Sequence, residues 1–126
     1  MIKAQNPFAP FWFVPPGQDD TPEEQRTAFR IRGLTGIEMA YIAPEMRLDE
    51  SGRRVVAISG RGSELLLEYG VLDWKNLADA EGHAVKFSRQ RFAMIPYATI
   101  ATLTTAVLAA SAPDEEQEKN SVSQSK

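Results

Sequence analysis

Residues 69–88, YGVLDWKNLADAEGHAVKFS, constrain the fold more than any other part of the chain, because an anchor, a tight turn and a helix start follow one another within them. Tyr69 and Val71 end an apolar-periodic run, and Trp74 is one of two tryptophans. Asp79-Ala80-Glu81-Gly82 then reads as the tip of a short hairpin near residues 78–87, with Gly82 supplying the positive φ that such a tip requires. Val85 and Phe87 alternate as the residues of a half-buried strand do, and Ser88 offers a hydroxyl to the open N–H groups of a following helix. These residues position elements, and by themselves they imply no chemistry.

A chain of 126 residues accommodates one domain with a modest core, expected over residues 1–111. Charge is distributed unevenly along it. Residues 1–27 carry two positive and four negative groups, residues 28–111 ten and nine, and the remainder two and four. A nearly neutral middle with acidic ends argues against nucleic acid as the main partner. The lack of any cysteine excludes disulfides, thiolate catalysis and cysteine-held metal. The opening MIKAQNPFAPF has neither the apolar core of a secretory signal nor an arginine-rich amphipathic pattern, so cytoplasmic residence is expected. The longest apolar region, residues 97–110, is shorter than the roughly 20 residues of a membrane span and contains four threonines.

Taken in order, the first sixteen residues hold four prolines and the aromatics Phe8, Phe11, Trp12 and Phe13. This pattern predicts an edge strand over residues 11–14, with the aromatics either covering the core or exposed as a partner-docking patch. Thr21-Pro22-Glu23-Glu24 has helix-start residues but nothing apolar behind them at helical spacing, so one turn at most is expected. Phe29 and Ile31 alternate with Arg30 and Arg32, which predicts a strand over residues 28–32, antiparallel to the first. Together these two strands form a small N-terminal β-hairpin with a long acidic loop.

Thr35 and Glu38 form a capping box, with Leu34 and Met39 placed as a hydrophobic staple, and Pro44 is expected to end the helix near Ala43. A turn through Ser51-Gly52 should follow. Val55-Val56-Ala57-Ile58 is compatible with a strand leading into a Gly60-Arg61-Gly62 loop, or with the lead-in to a helix capped at Ser59 or Ser63. Both readings share a helix over residues 64–69. A short helix over residues 88–94 precedes a last helix near Pro96, whose stripe comprises Tyr97, Ile100, Leu103, Thr104, Val107 and Leu108. After Ala112 the chain reads PDEEQEKNSVSQSK, too polar to repay the entropy of ordering, and a disordered acidic tail is expected over residues 112–126. The expected class is therefore α+β, mainly helical, with three to four helices.

Candidate chemistry is sparse. A strand, a glycine loop and a helix suggest a phosphate cradle, but Gly60 and Gly62 lack the third glycine of a dinucleotide fingerprint and the Lys-Ser/Thr of a P-loop. Asp79, Glu81 and His83 suggest a metal cluster, yet a hard cation takes six or more oxygens and zinc wants further His or Cys. His83 is the single histidine, no Gly-x-Ser-x-Gly is present, and no carboxylate pair shares an apolar segment. No catalytic role, cofactor or metal is expected, and binding or assembly is the default.

At the level of family, the chain resembles the tail assembly chaperones of long-tailed bacteriophages and prophages. The likeness rests on IKAQNPFAPFWFVP, on FRIRGLTGIEMAYI, and most of all on LLLEYGVLDWKNLADAEGHAVKFS followed by a proline-started helix and an acidic tail. Trp74, Asp79, Gly82, Phe87 and Ser88 carry the match, together with Thr35, Glu38, Tyr69 and Gly70, whereas Asp73 stands where similar proteins often have glycine. The resemblance implies a non-enzymatic protein of the bacterial host cytoplasm that holds the tape-measure protein, promotes tail-tube polymerisation and is absent from the mature virion. It implies a longer form, produced by ribosomal frameshifting, that recruits tail tube protein. Glu118-Lys119-Asn120 can be encoded as GAA-AAA-AAC, making Lys119 and Asn120 the candidate slippage site. No nucleic acid or membrane partner is implied, and homo-oligomerisation is open. A small structural tail-completion or adaptor protein of the virion is the alternative, and a nucleotide-binding module built on Gly60 and Gly62 a further one.

Overall fold

Phe29 and Ile31 are fully buried while Arg30 between them is exposed, so this segment is a strand with one face in the core. In a computed structural model, which describes residues 1–2, 8–48 and 54–111, the elements run as follows. Strand β1 is Phe11–Phe13, β2 Ala28–Ile31, helix α1 Gly36–Ile42, β3 Met46–Leu48 and β4 Arg54–Ile58. Helix α2 is Gly60–Gly70, β5 Val71–Lys75 and α3 Tyr97–Ser111, with 3₁₀ turns at Glu23–Gln25, Ala43–Glu45 and Arg89–Met94. The class is α+β, and helix outweighs strand.

The N-terminal hairpin forms as expected, one residue shorter in each strand, with Phe11 opposite Ile31, Trp12 opposite Arg30 and Phe13 opposite Phe29. It is not a free-standing pair. Strand β5 joins the other side of β2, giving a three-stranded antiparallel sheet in the order β1-β2-β5. The third strand escapes a period-two reading because of a bulge: Arg30 pairs with Asp73 but Ile31 with Val71, leaving Leu72 as the extra residue. Val71 and Trp74, three apart, can therefore both be buried beside β2. A second pair, β3 with β4, is antiparallel. The expected Ser51-Gly52 turn between them lies outside the described residues, as do the expected tail and the Lys119-Asn120 site.

The capping box of α1 forms on both sides. The Thr35 N–H donates to Glu38 Oε1 at 2.9 Å, and the Glu38 N–H donates to Thr35 Oγ1 at 3.3 Å. Arg32 adds a bidentate grip on the same carboxylate, at 2.8 and 2.7 Å. Leu34 is buried and Met39 packs against the core, in keeping with the staple. Pro44 does not expel the chain from helical geometry at once. It sits in the 3₁₀ turn Ala43–Glu45, where an early proline forfeits no needed N–H.

Ser59 resolves the ambiguity of the following segment. Its Oγ accepts from the Gly62 N–H at 3.0 Å and donates to Glu45 Oε2 at 2.6 Å, so α2 begins at Gly60 and both glycines lie inside the helix rather than in a loop. Helix α2 passes directly into β5. On α3, Leu103, Thr104 and Val107 are buried, and Ile100 and Leu108 pack against the core. Tyr97 departs from the expected stripe and is 85% exposed. Gly70 lies against Val107, where a Cβ would come within 2.6 Å of Cγ1. Gly60 and Tyr97 line one groove at the other end, so α2 and α3 run side by side in the same sense.

The 69–88 stretch folds around Trp74. Its indole meets Phe29, Phe87 and Phe92 with ring centroids 6.1, 4.9 and 5.8 Å away. The expected hairpin is reduced to a single bridge, Ala78 with Ala84, beneath a turn in which Gly82 has φ +85°. Asp79 Oδ1 accepts from the N–H groups of Glu81 and His83, both at 2.9 Å, and so supplies the turn's missing backbone partner. Val85 is buried, Lys86 exposed and Phe87 half-buried, so the alternation persists without a regular strand. Ser88 caps the 3₁₀ helix Arg89–Met94 through the Gln90 N–H at 3.3 Å.

Candidate partner-binding surface

Strand β1 is an outer strand of its sheet, framed by Pro10 and by Pro15-Pro16, and its side chains alternate between two faces. On one face Phe11 and Phe13, with Phe8 just upstream, look across to the last turns of α3. They line a groove of about 480 Å³ with Gly33, Ala106 and Ala110. Ala109 completes that wall. Among the described residues no charged one lines this groove. Phe11 is 46% exposed within it, while Phe13 also touches the core.

Trp12 points to the other face of the sheet. It is 40% exposed, and Lys75 Nζ sits 4.7 Å from the centre of its ring. Arg30 lies opposite Trp12 and Asp73 opposite Arg30, so this outer face is charged where the inner one is apolar. Of the four aromatics singled out in the sequence, the fold thus brings Phe8, Phe11 and Phe13 together and separates Trp12 from them.

The far wall of the groove was not legible as a binding feature. Ala106, Ala109 and Ala110 are spaced i, i+3, i+4, which places them on one helical face, but alanines on a helix normally signal nothing beyond helix propensity. Their small size is what leaves room between α3 and β1. Ser111 fixes that end of α3, because its Oγ accepts from the Leu34 N–H at 2.7 Å.

The remaining residues of the sequence pattern are structural. Thr35 and Glu38 cap α1, Gly70 permits the α2–α3 contact, Trp74 and Phe87 sit in the aromatic cluster, and Asp79, Gly82 and Ser88 shape turns and caps. Tyr69 is half-buried against the core. Arg32, bound end-on through both terminal nitrogens, holds the Glu38 carboxyl well below the ordinary range, at about 2. Asp79, Glu81 and His83 do converge, with ligand atoms within 4.8 Å of one another. They provide three ligand atoms on an exposed turn, fewer than a hard cation takes. Among the described residues no helix is long and apolar enough to cross a membrane. Comparison with protein-family models, with curated proteins and with solved structures finds no match.

Proposed function

We propose that this chain is a tail assembly chaperone of a long-tailed bacteriophage or prophage. In this reading it holds the tape-measure protein in the host cytoplasm, aids tail-tube polymerisation around it, and is left out of the finished particle. The role is binding, not catalysis. The order of sequence patterns from the N-terminal aromatics through the Trp74 stretch supplies the family reading. The observation that carries a binding role is the apolar groove between β1 and α3, with Phe11 nearly half in water.

A groove of this kind suits a chaperone's task. Apolar side chains of an unassembled partner would exchange water for Phe8, Phe11 and Phe13, at about 25 cal/mol per Å² of apolar surface covered. None of the described lining residues is charged, so the contact suits varied apolar sequences along a long partner. In this reading a longer, frameshifted form recruits tube protein through its extension.

The test is co-expression with the product of the long gene immediately downstream. The expected result is that this product becomes soluble and co-purifies, and that Ala109→Arg, which fills the groove from an exposed position, abolishes the effect. An insoluble downstream product, with this chain found by mass spectrometry in mature particles, replaces the chaperone reading with that of a structural tail component.

A further inference from the structure

The outer side of β1 is an open sheet edge. Strand β2 pairs with its inner side, and alternate residues of β1 turn their N–H and C=O groups the other way. Among the described residues no backbone hydrogen bond reaches that outer side. Pro10 and Pro15 close the edge at both ends and leave residues 11–14 open, about 14 Å of strand. Exposed edges are commonly guarded by a lysine or another charge on the strand itself. Phe11, Trp12, Phe13 and Val14 provide none, and Phe11, Trp12 and Val14 are 46%, 40% and 46% exposed.

The groove between β1 and α3 opens on one face of this edge. Phe11 and Phe13 line it, so a side chain set directly beside either of them on an added strand falls on the groove side of the sheet. The next residue along falls on the side of Trp12 and Lys75.

We infer that β1 takes up an extended segment of the partner as a fourth strand of the sheet, with apolar residues at every second position turned into the groove toward Ala106, Ala109 and Ala110. An edge calls for a strand rather than a helix, because the N–H and C=O groups of a helix are already paired with one another and cannot satisfy those of β1. The groove calls for uncharged side chains, since none of its described lining residues offers a counter-charge. Four edge residues are few against the roughly 20–30 a side of a stable interface, which suits transient capture of a segment better than a dimer of this chain. Such capture rests on the binding role proposed above and adds what is recognised: backbone first, sequence second.

The experiment uses the full chain and overlapping synthetic peptides of about fifteen residues that cover the product of the long gene immediately downstream. Peptides with apolar residues at every second position are expected to bind, to slow amide exchange within residues 11–14 and to shift the amides of Ala106 and Ala109. A bound peptide is then N-methylated at alternate residues, in one phase or the other. The phase whose N–H groups face β1 should lose at least about tenfold in affinity, and the other phase should keep its affinity. Loss in both phases or in neither, or a helical bound peptide, overturns the inference and leaves the chaperone reading standing. So does exchange at residues 11–14 that slows with rising chain concentration in the absence of peptide, meaning that a second copy holds the edge. No peptide bound, while co-expression still keeps the downstream product soluble, has the same meaning. If that product is insoluble as well, both fail.

Discussion

The indole N–H of Trp74 donates to the carbonyl oxygen of Val85 at 2.7 Å, joining the end of the central sheet to the far arm of the turn that follows it. Trp74→Phe keeps an aromatic ring but leaves that buried carbonyl without its donor, and is expected to cost about 1–3 kcal/mol. Trp74→Ala also removes the contacts with Phe29, Phe87 and Phe92, and is expected to cost about 3–5 kcal/mol. Urea unfolding of the two variants measures both. Equal midpoints for the two would show that the hydrogen bond, not the packing, dominates.

Glu38 gives the fold a pH-dependent component. Its carboxyl is lowered from 4.5 to about 2, first by the Arg32 hydrogen bonds. A carboxyl with a depressed folded value contributes stability above its unfolded value and loses it as pH falls through the folded one. Stability should therefore decline between about pH 4.5 and about pH 2 on this account. Glu38→Gln, which retains a capping side chain, should be roughly 1 kcal/mol less stable at pH 7 and equal to the parent near pH 2. Denaturation at a series of pH values tests this; a constant gap would refute it.

The contact between α2 and α3 is set by the missing side chain of Gly70. Gly70→Ala places a methyl group against Val107 and is expected to cost about 1–3 kcal/mol. Combining it with Val107→Ala should cost less than the sum of the single changes, because the space vacated is the space required. A double-mutant cycle that proves additive would mean the helices shift apart instead.

At the turn, Gly82→Ala forces a side chain into φ +85°, and Asp79→Ala removes the acceptor of two N–H groups. Each is expected to cost about 1 kcal/mol. Asp79→Asn should recover part of the loss, since an amide oxygen can accept the same two bonds though more weakly than a carboxylate; no recovery would assign the effect to charge.

Local signals read correctly wherever the deciding atoms lie within a few residues. The Thr35–Glu38 box, the Ser88 cap and the Asp79–Gly82 turn are of this kind. So is the pairing of β1 with β2, because both strands alternate cleanly. Strand β5 was illegible because the Leu72 bulge shifts its apolar period from two to three. The start of α2 was ambiguous because its first turn contains two glycines, poor helix formers that its Ser59 cap and its packing override. The sequence marked Phe8, Phe11, Trp12 and Phe13 as one cluster, either core cover or docking patch, and only the strand alternation of β1 separates Trp12 from the three that line the groove. The alanine side of the groove was not legible, since Ala106, Ala109 and Ala110 acquire meaning only when the fold sets them opposite those rings.

The order of the sheet also dictates an order of events during synthesis. Strand β2 lies between β1, made just before it, and β5, whose Trp74 partner for Phe29 is encoded 45 residues later. At the usual 5–20 residues per second, a nascent chain would carry the unpaired side of β2 for roughly 2–9 s before that partner exists. In a released fragment the early hairpin covers one side of the strand. The other side is an open ladder, so a fragment ending between Ile31 and Val71 would be prone to pairing with its neighbours.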